Sequence, residues 1–314
     1  MEGPGRAMVY ADQRYAASLY QFGQPHLLPH SGGWILVRGI PGTSYKDSMG
    51  CYPLFSCLDW SQLRKDLEEL DSELVSLALV TDPFSAIDGR HLAQYFDVVK
   101  PFKTHYVVDL SYSLKSFVHK VHSYNARRSL KRMDVEVCLD PARYLDDWMK
   151  LYQTLIKRHH ITGMSAFSRE CFEMQLQIPG AILVIGRANR EVIGANLIIM
   201  QSDIAYGHLA AFSPEGYRIK ASYGIFWTAL TYLADHHVRF YDMGGGAGTK
   251  ENPEDGLSTF KANWSNVRRM TYLCGRIINN ERYQDIVRSK GKGSRNYFPA
   301  YRDGEFESDR EESS

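Results

Sequence analysis

The sequence predicts an α+β fold in which mixed central sheets are flanked by helices. In the first part of the chain, apolar strand-like runs alternate with amphipathic helical stretches. In the second part, three strand-like runs follow one another closely, and a hairpin-type turn joins the first two, which indicates an antiparallel meander. At 314 residues the chain is long enough for two domains of ordinary size.

Composition excludes several classes of protein. The hydrophobic share of 44% and the charged share of 23% are typical of a soluble globular protein. The net charge of +1 predicts no general attraction to DNA or a membrane, and no apolar run approaches the ~18 residues of a membrane span. The five cysteines lack CxxC spacing, and no secretory signal begins the chain. We therefore expect a cytoplasmic protein without a disulfide framework, a metal site or a membrane span.

Local patterns support each element of the first part. Gly33 and Gly39 bound an apolar strand, and Asp59 can cap a helix in which Leu63, Leu67 and Leu70 share one face. The predicted elements are a helix over 9–20, a strand over 34–38, a helix over 59–70, a strand over 75–80, a short helix over 91–96 and a strand over 105–110.

The second part begins with a predicted helix over 114–133. Its apolar stripe comprises Leu114, Phe117, Val118, Val121 and Tyr124. The other face is basic and includes Arg127 and Arg128, with no acidic residue between positions 109 and 134. Such a run is typical of a solvated helix face, and the alternative is a phosphate-binding patch.

The later elements lead to a glycine-rich stretch. They are a strand over 135–139, helices over 141–158 and 169–177, strands over 181–187, 192–200 and 204–211, a loop over 212–220, a helix over 221–236 and strands over 239–243 and 267–278. The strand that ends in Tyr241 and Asp242 runs into Gly244, Gly245 and Gly246. From position 289 onward the composition predicts a disordered tail.

A lysine between aromatic residues follows this glycine loop, in the segment Phe260-Lys261-Ala-Asn-Trp264. Glycines let a backbone approach another group closely, so a cation beside them predicts an anion or oxyanion site. The alternative is a flexible hairpin followed by a surface lysine. Arg218, Lys220 and Gly224 open the helix after the meander, where they indicate either a phosphate site or a loop with solvated cations.

Several kinds of catalytic site are excluded by spacing. The glycine loop satisfies neither the Walker pattern nor the dinucleotide fingerprint, because Thr249 interrupts both. The histidine pairs at 159–160 and 236–237 are adjacent, so they cannot bind a metal from one helix face. There is no Gly-x-Ser-x-Gly elbow. These exclusions favour a mechanism without a covalent enzyme intermediate.

Four segments of the second part resemble one known family. They are Tyr124-Asn-Ala-Arg127-Arg128 before Val135-Glu-Val, the helix over 148–158, Ile204-Ala-Tyr206-Gly-His208, and Tyr241-Asp242-Met-Gly244 followed by Gly256-Leu257-Ser-Thr-Phe260-Lys261. The chain thereby resembles the GNAT-fold acyltransferases of the Fem-type (FemABX) and BioF2-like (CelD-like) group, over roughly residues 112–280. The resemblance implies two tandem GNAT-like domains: a degenerate copy over 1–111 and an acyltransferase domain over 112–288, before the tail over 289–314.

The resemblance also implies transfer of an acyl or aminoacyl group to an amine, with Lys261 steadying charge on the carbonyl. The chain departs from the family in having Ala262-Asn-Trp264 after this lysine, in lacking a coiled-coil insertion, and in a helix-entry loop poor in glycine. We expect an N-acyltransferase that uses acyl-CoA, or a similar thioester, by direct attack. The alternatives are a transferase that uses aminoacyl-tRNA and a non-catalytic binding module.

Each candidate residue has an expected role in this reaction. His208, Tyr206 or Asp242 would relay the proton of the attacking amine, which belongs to a small molecule or a cell-wall precursor. The donor would be held by Arg218, Lys220, Gly224, Gly244, Gly245 and Gly246. The substrate-binding candidates are Arg127, Arg128, Tyr241, Phe260 and Trp264. We expect no tightly bound cofactor.

Overall fold

The computed structural model describes residues 9–85, 87–248, 255–291 and 297–305. The chain divides into two units, and the sites discussed below lie within one or the other. The first unit comprises Met1–Phe102, Thr162–Met164 and Thr271–Ser314, and the second comprises Lys103–Ile161 and Ser165–Met270. Two of the four boundaries between the units fall within strands, at 102/103 and 270/271.

Helices and strands alternate through much of the chain. The strands are β1 (Gln24–Leu28), β2 (Gly33–Gly39), β3 (Lys46–Gly50), β4 (Leu74–Val80), β5 (Val98–Asp109), β6 (Asp134–Cys138), β7 (Ala181–Ala188), β8 (Glu191–Gln201), β9 (Ile204–Phe212), β10 (Phe240–Asp242) and β11 (Val267–Ile277). The α-helices are α1 (Gln13–Ser18), α2 (Leu63–Glu68), α3 (Gly89–Leu92), α4 (Leu114–Phe117), α5 (Lys120–Ser129), α6 (Leu145–His159), α7 (Arg169–Gln175), α8 (Pro214–Ile219), α9 (Ala221–Asp235), α10 (Gly256–Ala262) and α11 (Asn280–Lys290).

In the first unit the strands pair in the order β1-β2-β3-β4-β11. The β3–β4 pair is parallel and the other pairs are antiparallel. Alternate residues of these strands supply a core of fully buried side chains such as Ile35, Leu77 and Leu79, with Phe55 and Leu67 packed against them.

In the second unit the strands pair in the order β5-β10-β9-β8-β7-β6. Strands β9 and β10 are parallel, and the other pairs along this order are antiparallel. Helices α5 and α9 pack on one another, α9 also contacts β7 and β8, and α6 contacts β8 and β9. Mixed sheets flanked by helices confirm the predicted α+β class. The tandem arrangement remains a prediction, and the structure groups residues from Thr271 onward with the first unit.

The predicted helix over 114–133 is wrong at its centre. It is divided into α4 and α5 because Val118 and His119 both have extended backbone, and the His119 side chain caps α5. The interruption changes the helical phase, so the buried positions of α5 are His122, Asn125, Ala126 and Ser129. Val121 and Tyr124, expected in the apolar stripe, are exposed.

Two further expectations about irregular segments are also corrected. Residues 214–219 of the predicted loop form α8, capped by the Ser213 side chain. Within the predicted disordered tail, α11 continues to Lys290 and residues 297–305 are packed, with Tyr301 and Arg302 buried. The Arg302 guanidinium pairs with the buried carboxylate of Asp47 at 2.5 Å. The rest of the predicted tail, and loop residues 249–254, lie outside the described ranges.

Candidate functional site

Strand β10 is followed by an irregular segment at Gly244–Gly246, which we call the glycine crook. Gly244 has φ +77°, a left-handed conformation that favours glycine. Its N–H donates to Asp242 Oδ1 at 2.8 Å, so the carboxylate stabilises this backbone conformation. A side chain on Gly246 would also collide with Ser258 and Asp255, which hold the first turn of α10. The crook therefore requires the glycines that the sequence places there.

Lys261 lies in the last turn of α10 and reaches the glycine crook. Its Nζ donates to the Gly245 carbonyl at 2.6 Å. Asp255 caps the start of this helix by accepting from the amides of Leu257 and Ser258 at 2.7 and 2.8 Å. Burial lowers the pKa of Lys261 to about 8, and the nearby Asp242 carboxylate opposes this shift. The structure thus places the ammonium of Lys261 beside the glycine loop, as the sequence predicted.

Strand β5 adds two residues that the sequence did not reveal. His105 Nδ1 lies 2.8 Å from Asp242 Oδ2, and both side chains are buried. Lys103, two positions earlier on the same strand face, donates to the carbonyls of Gly246, at 2.7 Å, and Gly248. The crook cluster thus consists of Lys103, His105, Asp242, Gly244–Gly246 and Lys261. The available signal was weak, because His105 begins the strand predicted over 105–110 and Lys103 lies two positions before it.

His208 and Tyr206 lie on β9, and Tyr206 is paired in register with Asp242 of the neighbouring strand β10. His208 is the extra residue of a β-bulge, because Leu197 opposes Leu209 whereas Ile198 opposes Gly207. Its Nε2 is 3.2 Å from Gln175 Oε1, and its ring packs near Phe167. Burial lowers the pKa of His208 to about 4, which makes it a weak base at neutral pH. Tyr206 is a buried member of the same strand face.

The buried histidines make stability depend on pH. Burial lowers the pKa of both His208 and His122 to about 4, from an ordinary value of 6.5. Between these values the unfolded chain binds protons that the folded chain excludes, so stability is full above pH 6.5 and falls as the pH drops toward 4. We expect each histidine to cost up to about 2 kcal/mol at about pH 5.

Urea unfolding at about pH 7.5 and about pH 5 measures this effect. His208→Gln and His122→Phe should each reduce the difference between the two midpoints, whereas substitution of the exposed His26 should leave it unchanged. Equal midpoints for the unsubstituted protein at both pH values would contradict the expected proton uptake.

The three aromatic residues predicted to bind substrate pack in the hydrophobic core of the second unit. Tyr241 points to the opposite strand face from Asp242, is fully buried, and accepts a hydrogen bond from Asn196 Nδ2 at 3.0 Å. Trp264 is also fully buried, and it packs with the partly buried Phe260 around His122. These contacts place α10 against α5 and α9. Phe260 and Trp264 thereby pack the helix that carries Lys261 against α5, and substrate binding by the three aromatics stays a prediction.

The predicted phosphate site at the start of α9 is only partly assembled. Gly224 is buried against α5, and a Cβ there would lie 2.6 Å from Met133 Cε and 2.7 Å from Ser129 Oγ. This close helix packing by itself requires a glycine at this position, and its role in cofactor binding stays a prediction. Arg218 is exposed but paired with Glu215 at 2.5 Å, whereas Lys220 has a left-handed conformation at the first turn of α9.

The remaining candidates, Arg127 and Arg128, are exposed on α5 and point to solvent. Within the described ranges, no group of three or more histidine, cysteine or acidic side chains has the arrangement of a metal site. Among the described helices, none has both the length and the apolar character needed to cross a bilayer.

Comparison with known proteins relates this arrangement to a family. The profile of the family described as "Acetyltransferase (GNAT) domain" matches residues 120–253. No curated protein matches the chain in sequence.

Solved structures share the fold at low sequence identity. FemX is 13% identical with a TM-score of 0.66, over 90% of this chain and 95% of FemX. The C-terminal domain of a lysylphosphatidylglycerol synthetase from Agrobacterium fabrum is 14% identical with a TM-score of 0.63, over 87% of this chain and 90% of that domain. L-PGS from Bacillus licheniformis is 12% identical with a TM-score of 0.57, over 88% and 94% of the two chains. The predicted resemblance is thereby confirmed: residues 120–253 match the model of the acetyltransferase (GNAT) domain, and the chain shares its fold with FemX.

Proposed function

We propose that this protein transfers an acyl group from an activated ester or thioester to an amine by direct attack. The observation that carries the proposal is the ammonium of Lys261, held in a partly buried position against the glycine crook. Attack on a carbonyl places negative charge on its oxygen, and a preorganised cationic donor stabilises that charge more strongly where water is excluded.

The crook cluster has the hydrogen-bonding capacity for this role. An ammonium has three N–H donors, and in the described part of the chain Lys261 uses one of them on Gly245. The others are available to a carbonyl oxygen that enters beside the crook. Burial lowers the pKa of Lys261 only to about 8, so the side chain is still mainly charged at neutral pH. Lys103 fixes the crook from the β5 side through Gly246.

An acyl-CoA thioester is the first candidate donor, and the matching acetyltransferase domain supports it. Lys220 at the first turn of α9 would contact its phosphates.

A specific observation favours a second candidate, an aminoacyl ester carried by RNA. The helix-entry segment is folded into α8, Gly224 is packed against α5, and Arg218 is paired locally, so the expected phosphate loop is incomplete. The exposed Arg127 and Arg128 offer phosphate contacts on another helix. One structural relative is named a lysylphosphatidylglycerol synthetase and another is FemX, and the acceptor here would be a lipid, cell-wall or small-molecule amine.

Direct product detection tests both donors. The purified chain is incubated with radiolabelled acetyl-CoA or with a lysyl-RNA microhelix, in each case with n-propylamine or hydroxylamine as the acceptor. We expect an amide or hydroxamate from at least one donor, and ribonuclease should abolish only the reaction of the second. Donor binding, seen as a raised melting temperature, without product from either donor would instead indicate a binding module and refute the proposal.

A further inference from the structure

We propose that His105 is the catalytic base of this site and that Asp242 is its positioning residue. This inference rests on the proposed acyl transfer and assigns its proton acceptor. His105 and Asp242 belong to neighbouring antiparallel strands, β5 and β10, and their side chains are 8% and 2% exposed, respectively. The 2.8 Å contact between Nδ1 and Oδ2 therefore lies between two side chains that the sheet holds in place.

The partners of Asp242 determine the tautomer of His105. An ionised carboxylate only accepts hydrogen bonds, so the Nδ1 atom that faces it carries the proton. The other carboxylate oxygen accepts the Gly244 N–H at 2.8 Å, which fixes the orientation of the carboxylate. The second ring nitrogen of His105, Nε2, is then left without its proton and can accept one.

The imidazole and the cationic donor meet at the same glycine. The Cδ2 edge of His105, beside Nε2, lies 3.6 Å from the position that a Gly245 Cβ would occupy. The carbonyl of the same residue accepts from Lys261 at 2.6 Å. Among the described residues, the charged groups that face this region include Asp242 on β10, Lys103 on β5, Lys261 on α10 and Asp255 at the start of α10. A carbonyl whose oxygen points to Lys261 thus presents its carbon close to His105.

The proton balance of the reaction is complete with this residue. The neutral amine attacks the carbonyl carbon, a C–N bond forms, and His105 Nε2 takes one proton from the nitrogen. Collapse of the tetrahedral intermediate breaks the C–O or C–S bond to the donor. The imidazolium then returns the proton to the departing oxygen or sulfur, so the base is regenerated and no other reactant is needed.

His105→Ala tests the role, with replacement of the exposed His159 on α6 by alanine as the matched control. We expect the first variant to transfer acyl groups to n-propylamine at least about 100-fold more slowly, and added imidazole to restore much of the rate. The loss should be smaller with hydroxylamine, which is a weaker base and gives up its proton more readily. Wild-type rates in His105→Ala, or a loss that imidazole does not relieve, would overturn the assignment.

The tautomer is tested without any substrate. Nitrogen-15 NMR of histidine-labelled protein should show His105 protonated at Nδ1, and Asp242→Asn should shift the proton to Nε2. An Nε2-protonated His105 in the unsubstituted protein would refute the proposed orientation. If instead no donor gives product with the unsubstituted protein, the proposed function itself fails, whatever the tautomer.

Discussion

Replacing Lys261 with methionine should lower turnover by about 100- to 1,000-fold, the loss that follows removal of one oxyanion donor worth ~2.7–4 kcal/mol. The folded state should be no less stable. Burial lowers the pKa of Lys261 to about 8, which means that the folded chain disfavours its charge, and methionine removes that charge at similar volume. Steady-state kinetics and thermal unfolding of the same preparation measure the two effects.

The pH dependence gives a second measure of the same residue. Because the protonated form donates to the oxyanion, the contribution of Lys261 is full below its pKa of about 8 and is lost as the pH rises above it. The exposed Lys157, replaced in the same way, is the matched control and should change neither rate nor stability. Turnover of Lys261→Met within a few-fold of the unsubstituted rate would remove the oxyanion role.

The sequence predicted those parts of the candidate site that are formed by residues close together in the chain. A strand that leads into Gly244–Gly246 and a helix that carries Lys261 are encoded by local glycine content and local spacing, and both are present in the structure. The strands of the sheets were predictable for the same reason, since alternating apolar runs mark strands independently of their partners.

Residues brought together from distant positions could not be predicted. His105 reaches Asp242 across 137 positions because β5 pairs with β10, and no local pattern encodes that pairing. Which side of a helix or strand is buried could not be predicted for the same reason. A short extended break at Val118 and His119 changed which residues of α5 are buried, and a one-residue alternation separated the buried Tyr241 from Asp242.

Asp47→Asn should lower the free energy of unfolding by about 3–5 kcal/mol, because it removes the buried carboxylate that two guanidinium groups share and leaves Arg302 paired only with Glu305. Asp47 is fully buried on β3 of the first unit and accepts from Arg302 Nε at 2.5 Å and Nη2 at 2.8 Å, and from the Tyr301 hydroxyl at 3.0 Å. Arg38 lies 3.5 Å from the same carboxylate, and burial lowers its pKa. The amide keeps the shape of the side chain but removes its charge.

Urea unfolding at neutral pH measures this loss, and two further variants separate charge from packing. Glu73→Gln breaks the exposed Glu73–Arg282 pair and should cost less than about 1 kcal/mol. Asp47→Asn combined with Arg302→Met removes one of the two cations that face position 47 and leaves the other, Arg38. The double variant should therefore be more stable than Asp47→Asn alone. An equal or larger loss in the double variant would show that Arg302 stabilises the fold by packing, and that residues 297–305 are held by contacts other than this ion pair.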